Sequence, residues 1–132
     1  MKPIARLFAA FAIIAPSPTL ASDASITLGM TVPRICYLAP TGGFKSGAGY
    51  VQLSNVREFC NGDGYVIMLD YTPGTLVGAT ATFADQRVVL DGSGEAVLLD
   101  ANYAVSRVST LVIERDGVER EQSRVQLRMG AR

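Results

Sequence analysis

The sequence predicts an all-β protein: a β-sandwich of about seven short strands with one disulfide. Three observations support this prediction. Runs rich in β-branched and aromatic residues alternate between apolar and polar positions, and clusters of glycine, proline, asparagine and aspartate separate these runs. The chain also contains only two cysteines, Cys36 and Cys60. We find no internal repeat and no low-complexity segment.

The first 21 residues have the features of a secretory signal peptide. Lys2 and Arg6 precede an apolar stretch, residues 7–15, that is too short to span a membrane. Small residues then predict cleavage after Ala21, and cleavage after Ala24 satisfies the same rule. The sequence therefore predicts an exported protein, located in the periplasm and then at the cell surface, or secreted.

Cleavage after Ala21 leaves residues 22–132, which is the length of a single domain. It removes two of the 12 basic residues and none of the 12 acidic ones, so the mature chain is close to neutral. No basic patch indicates nucleic-acid binding, and no second apolar stretch is long enough to be a transmembrane segment. The alternating charges between residues 114 and 132 are typical of a solvated face, with a partner-binding surface as the alternative.

The strands are expected at residues 26–33, 50–56, 65–71, 80–84, 87–90, 95–99, 105–114 and 118–129. Residues 39–49 are expected to form a loop, and the turns at 91–94 and 115–117 are expected to close hairpins. The last segment, 118–129, also fits a helix.

Strand 65–71 is nearly continuously apolar, which is typical of a central strand covered on both sides. Tyr65, Ile67 and Leu69 are its predicted core residues, with Val66 and Met68 covered in part. Asp70 interrupts this strand, so its charge must be paired or lie at an exposed edge.

Cys36 and Cys60 are predicted to form a disulfide, because an even cysteine count in an exported chain favours one. The chain has no histidine, which excludes the usual catalytic triads and leaves the two distant cysteines without a metal-binding partner. The sequence thus offers no catalytic residues, no metal ligands and no cofactor site, and we expect a protein that is not an enzyme. The acidic residues considered as an acid-base pair are better interpreted as turn residues or strand ends: Asp63, Asp70, Asp85, Asp91, Glu95 and Asp100.

Residues 26–33 alternate strictly near the start of the mature chain. Ile26, Leu28, Met30 and Val32 share one face, and small or polar residues occupy the other. The segment ITLGMTVPRIC, residues 26–36, resembles the start of bacterial chaperone-usher pilin subunits. The segment FCNGDGYVIMLDY, residues 59–71, is similar to the second-cysteine strand of those subunits and of spore coat protein U-like secreted domains.

This resemblance implies an immunoglobulin-like, pilin-like sandwich that lacks its last strand and is completed by the N-terminal extension of another subunit. It implies a structural function, as a subunit of a surface fibre or coat, with adhesion as a further role. Residues 22–33, called the N-terminal arm below, would be the donor strand. The implied partners are other copies or related subunits, a periplasmic chaperone and an outer-membrane usher. The alternative is a monomeric binding module whose arm completes its own sandwich.

Overall fold

The structure is a computed structural model that describes residues 29–132. The predicted signal peptide, residues 1–21, lies outside the described residues, and so do two of the four predicted donor residues, Ile26 and Leu28. Those predictions stay predictions. Within the described part of the chain, no helix is long and apolar enough to cross a membrane.

Residues 29–132 contain nine strands and one short 3-10 helix. In chain order they are β1 (Cys36–Pro40), β2 (Phe44–Gly47), β3 (Tyr50–Cys60), β4 (Tyr65–Tyr71), β5 (Thr80–Phe83), β6 (Gln86–Val89), β7 (Glu95–Ala101), β8 (Val105–Glu114), the 3-10 helix (Val118–Arg120) and β9 (Val125–Ala131). One sheet has the order β1-β3-β8-β5-β6, with β2 also paired to β3, and the other has the order β7-β4-β9. All pairs are antiparallel, and the buried side chains come from both sheets. The prediction of an all-β sandwich is confirmed, with more strands than the seven expected.

Strand β4 is the centre of the smaller sheet, as its apolar sequence predicts. Its alternate side chains Tyr65, Ile67 and Leu69 are fully buried, whereas Val66 and Met68 are half-buried on the outer face. Hydrogen bonds to β7 on one side and β9 on the other satisfy its backbone. The strand therefore holds the smaller sheet together and supplies much of the core.

The expected loop at residues 39–49 is wrong in part, because β2 forms inside it and pairs with the start of β3. Phe44 pairs with Leu53 and Gly47 with Tyr50. The chain reverses through Gly49, whose φ of 79° is accessible to glycine at little cost. Glycine-rich composition indicated the turn but hid the short strand that precedes it.

Neither expected hairpin forms, because both turns lead from one sheet to the other. Residues 91–94 connect β6 in the larger sheet to β7 in the smaller one. The Asp91 carboxylate accepts a hydrogen bond from the Ser93 backbone N–H at 2.8 Å, which makes this segment a tight turn. Residues 115–117 lead from β8 into the 3-10 helix, and β9 then joins the smaller sheet. Segment 118–129 is thus neither one strand nor one helix.

The predicted disulfide between Cys36 and Cys60 is present and joins β1 to β3, where the two cysteines are directly paired in the antiparallel register. The cysteines are 24 residues apart in the chain. In the loop-entropy model, closing a loop of this size stabilises the fold by about 3 kcal/mol. The bond fixes one end of the sandwich, which is called the disulfide end below.

Glu58 is the one charged residue that is fully buried among residues 29–132. Its carboxylate accepts hydrogen bonds from the Arg107 Nε at 3.0 and 3.1 Å and from the Ser109 hydroxyl. Arg107 also donates to the Tyr65 hydroxyl at 3.3 Å. Glu58 faces the core because it alternates with Val56 and Cys60 along β3, so its charge requires this network.

The charge of Asp70, which the sequence required to be paired or to lie at an exposed edge, is paired with an arginine. Its carboxylate accepts hydrogen bonds from Arg128 on the adjacent β9, at 2.5 Å from Nε and 3.0 Å from Nη2. Arg128 also donates to Glu95 on β7 at 3.2 Å. The three charges form a cross-strand ladder on the outer face of the smaller sheet, where partial exposure limits their contribution to stability.

Candidate functional site

An apolar cleft lies between the inner face of the larger sheet and the edge strand β9. Its volume is about 470 Å³. The floor and walls are apolar side chains of β2, β3, β8, the 3-10 helix and β9, together with a residue of the β4–β5 connection: Phe44, Val51, Leu53, Leu111, Ile113, Val118, Val125, Leu127 and Leu76. The cleft is therefore a gap between the two sheets that the described chain does not fill.

The cleft runs beside an unpaired strand edge. Strand β9 is the last strand of its sheet, and among residues 29–132 no strand pairs with its outer edge. Across the cleft, β2 is likewise an edge strand, paired only to β3. A sandwich with facing open edges exposes both apolar side chains and backbone hydrogen-bonding groups, a combination that can accept an added strand.

Two carboxylates on the polar rim of the cleft, those of Glu119 and Glu121, make contacts within the protein. The Glu119 carboxylate accepts the Gly49 backbone N–H at 2.9 Å. Hydrogen bonds from its own backbone N–H and from that of Gly49 hold the pKa of Glu119 below its ordinary value. Glu121 accepts the Leu76 backbone N–H at 2.8 Å and pairs with Arg115. Both carboxylates thus brace the 3-10 helix region against the sheets.

The cleft presents apolar surface beside the open backbone edge of β9. Among residues 29–132, no group of three or more His, Cys, Asp or Glu side chains could hold a metal ion. The chemistry that fits such a cleft is an extended segment with alternate apolar side chains. A strand of this kind would complete the hydrogen bonding of β9 and insert its apolar side chains between the sheets.

Of the predicted donor residues, Met30 and Val32 fall within the described chain. Both are exposed, with 88% and 68% of their surface accessible. Residues 29–33 form no strand, so the described part of the predicted strand at 26–33 is not paired with any strand among residues 29–132. The structure thus leaves two large apolar side chains of the arm without a buried position.

The sequence pattern predicts some residues of the cleft as apolar strand residues and gives no indication of others. Val125 and Leu127 alternate within the predicted last strand, and the structure places both in the cleft wall. Phe44 was missed because glycines surround it in the expected loop, although an isolated phenylalanine in a polar loop is itself unusual. Val118 was assigned to a strand, but it is a buried residue of the 3-10 helix.

Comparisons of the chain with protein-family models, with curated proteins and with solved structures find no match.

Proposed function

We propose that this protein is an exported structural subunit that assembles into a surface fibre or coat by strand donation. In this mode the N-terminal arm of one copy fills the cleft of the next. The observation that carries the proposal is the apolar cleft beside the unpaired edge of β9. The assembled fibre or coat would act at the cell surface, with adhesion as one role.

The arm matches strand β9 in length, and its apolar face matches the apolar lining of the cleft. The alternating segment Ile26 to Val32 has seven residues, and so does β9, Val125–Ala131. Each buried apolar side chain of the arm contributes roughly 1.5 to 3 kcal/mol, part of which offsets the cost of ordering the arm and joining two molecules. Four such side chains would contribute roughly 6 to 12 kcal/mol before those costs are subtracted, and backbone hydrogen bonds to β9 would add to this.

An open cleft is also a hazard, which explains the partners that this mode of assembly requires. Unpaired edges and exposed apolar surface promote uncontrolled association before a subunit reaches its place. A periplasmic chaperone that covers the cleft and an outer-membrane usher that orders the exchange would prevent this. The exposed Phe44 at the mouth of the cleft gives such a covering protein an apolar contact.

The arm is tested first, with the full-length chain expressed for export. Leu28→Asp and Met30→Asp place a charge on the apolar face of the arm, whereas Thr31→Asp places the same charge on its other face and is the matched control. We expect the first two variants to lose polymers while their monomers keep the disulfide and the unfolding temperature of the control. Size-exclusion chromatography and unheated denaturing gels measure the polymers, and circular dichroism measures the unfolding temperature.

The cleft is tested from the opposite side. Val125→Asp introduces a charge into the cleft wall at a partly exposed position, and Gln126→Asp, its neighbour pointing to the other face of β9, is the matched control. We expect only Val125→Asp to block assembly. A synthetic peptide of residues 22–33 should raise the unfolding temperature of the Leu28→Asp monomer, and the same peptide with Leu28→Asp should not.

Two results would overturn the proposal. Polymers that survive changes in both the arm and the cleft would exclude strand donation. A Leu28→Asp monomer that unfolds would show that the arm belongs to its own core, which is the self-completed binding module.

A further inference from the structure

A cluster of hydrogen bonds at the disulfide end fixes the C-terminal end of the arm, at Pro33, and the residues that follow it. The Asn61 side chain accepts the Ile35 backbone N–H at 2.7 Å and donates to the Pro33 carbonyl at 2.9 Å. The Asn61 backbone N–H donates to the Ile35 carbonyl at 3.2 Å. One residue of the β3–β4 turn thus makes three hydrogen bonds to Pro33, the last residue of the arm, and to Ile35, which precedes β1.

Arg34 adds a second attachment. Its guanidinium donates to the Arg132 carbonyl at 2.9 Å and to the Asp63 carboxylate at 3.0 Å. Arg132 in turn donates its backbone N–H to the Gly64 carbonyl at 3.0 Å. Since the Arg34 and Asp63 side chains are both exposed, their ion pair is weak. Together the contacts of Arg34 and Asn61 are called the clasp.

The clasp sets the direction in which the chain meets β1. The bonds between Ile35 and Asn61 continue the β1–β3 ladder one step beyond the pair Cys36 and Cys60. The segment back to Pro33 therefore prolongs the line of β1 past the disulfide end. Arg132, which follows the last residue of β9, lies at this same end.

The cleft, in contrast, is built around the beginning of β9 and the pairing of β2 with the start of β3. Val125 opens β9 and lines the cleft, and so do Phe44 and Leu53, a register pair far from Cys60 along β3. An arm that entered its own cleft would have to reverse direction between Val32 and Cys36 and run back beside β1.

The clasp opposes that reversal for a physical reason. Proline at position 33 fixes its own φ and restricts Val32 to extended conformations, so a reversal here would be a turn centred on Pro33 and Arg34. The Pro33 carbonyl and the Ile35 N–H, which a turn at this place would reorient, are both bonded to Asn61. Reversal would leave these groups to find new partners.

We propose that Asn61, supported by Arg34, is a positioning residue that keeps the arm out of its own cleft and directs it to a second copy of the chain. This inference rests on the proposed function. The clasp determines the balance between self-completed monomer and polymer, and it does so without touching the cleft.

The test compares the full-length exported chain with Asn61→Ala, Asn61→Asp and the control Asp116→Ala, an exposed turn residue outside the clasp. Asn61→Asp keeps an acceptor for the Ile35 N–H and loses the donor to Pro33. The readout is the ratio of monomers with a protease-protected arm to polymers. We expect Asn61→Ala to raise this ratio roughly tenfold, as losing one to two net hydrogen bonds predicts, and Asn61→Asp to raise it less.

Hydrogen exchange within residues 26–32 of the monomer is the second measurement, because a merely structural role for Asn61 would not slow exchange in the arm. If the unmutated chain polymerises through its arm and Asn61→Ala leaves both the ratio and the exchange unchanged, the inference is wrong and the proposed function stands. If the unmutated chain forms no arm-dependent polymer, the proposed function fails and the inference fails with it.

Discussion

The buried ion pair between Glu58 and Arg107 gives the sharpest test of the fold. Replacing Arg107 with methionine keeps an unbranched side chain of similar length and removes the charge. Glu58, with none of its surface exposed, would keep only the Ser109 hydroxyl of the donors described above. Methionine cannot donate to the carboxylate or to the Tyr65 hydroxyl, so two buried acceptors lose their partner at once.

The expected cost follows from the burial of each partner. Removing one member of a buried pair typically costs 3 to 5 kcal/mol, because the remaining charge is left without compensation. The Arg107 side chain is 35% exposed, so water already screens part of the attraction that is lost. We therefore expect a loss of about 3 kcal/mol, which is a large share of the stability of a domain of this size.

Urea unfolding followed by circular dichroism measures this loss of stability. A double-mutant cycle then shows how much of it comes from the interaction between Glu58 and Arg107. Glu58→Met combined with Arg107→Met removes both charges, and we expect it to be more stable than Arg107→Met alone, because no charge is then left in the core. Replacement of the exposed, outward-facing Arg57, a neighbour on β3, is the control for losing an arginine. A loss below about 1 kcal/mol for Arg107→Met would refute the reasoning, since it would mean that water reaches Glu58.

Two further predictions concern the core strand β4. Ile67→Ala should cost roughly 2 to 5 kcal/mol in the same urea assay, because Ile67 is fully buried, while Val66→Ala on the half-buried outer face should cost less; equal losses would mean that the two faces are not distinguished. Burial, with a smaller contribution from Glu58, raises the pKa of Tyr65 from 10.0 to about 12. The unfolded chain loses this proton first, so the stabilisation is complete below about pH 10 and is lost as the pH rises through about 12. The unfolding temperature of the unmutated chain should fall more steeply over this range than that of Tyr65→Phe, and parallel curves would contradict the assignment.

The candidate site was only partly predictable from the sequence. The arm is a local pattern, since four apolar residues at alternate positions identify one face of a strand without reference to the rest of the chain. The cleft is not local. Phe44, Leu111, Val118 and Leu127 lie on four different elements, and only the packing of two sheets brings them around one space. The clasp is equally non-local, because Asn61 looks like an ordinary turn residue until Pro33 and Ile35 are placed beside it.

The sequence by itself determined the class of the fold, the disulfide and the core strand β4. These depend on residue type and on a period of two, which are properties of short segments. Tyr65, Ile67 and Leu69 had to face one side together, and all three are fully buried.

Only the tertiary structure decided how the strands are paired. The turns at 91–94 and 115–117 have the composition of hairpin turns, yet each leads from one sheet to the other. A turn's composition allows the chain to reverse, but whether the next strand pairs with the previous one or crosses the core depends on which apolar faces must be buried together. That same requirement places β9 at a sheet edge beside an unfilled cleft, where β4 is the one described strand that is hydrogen-bonded to it.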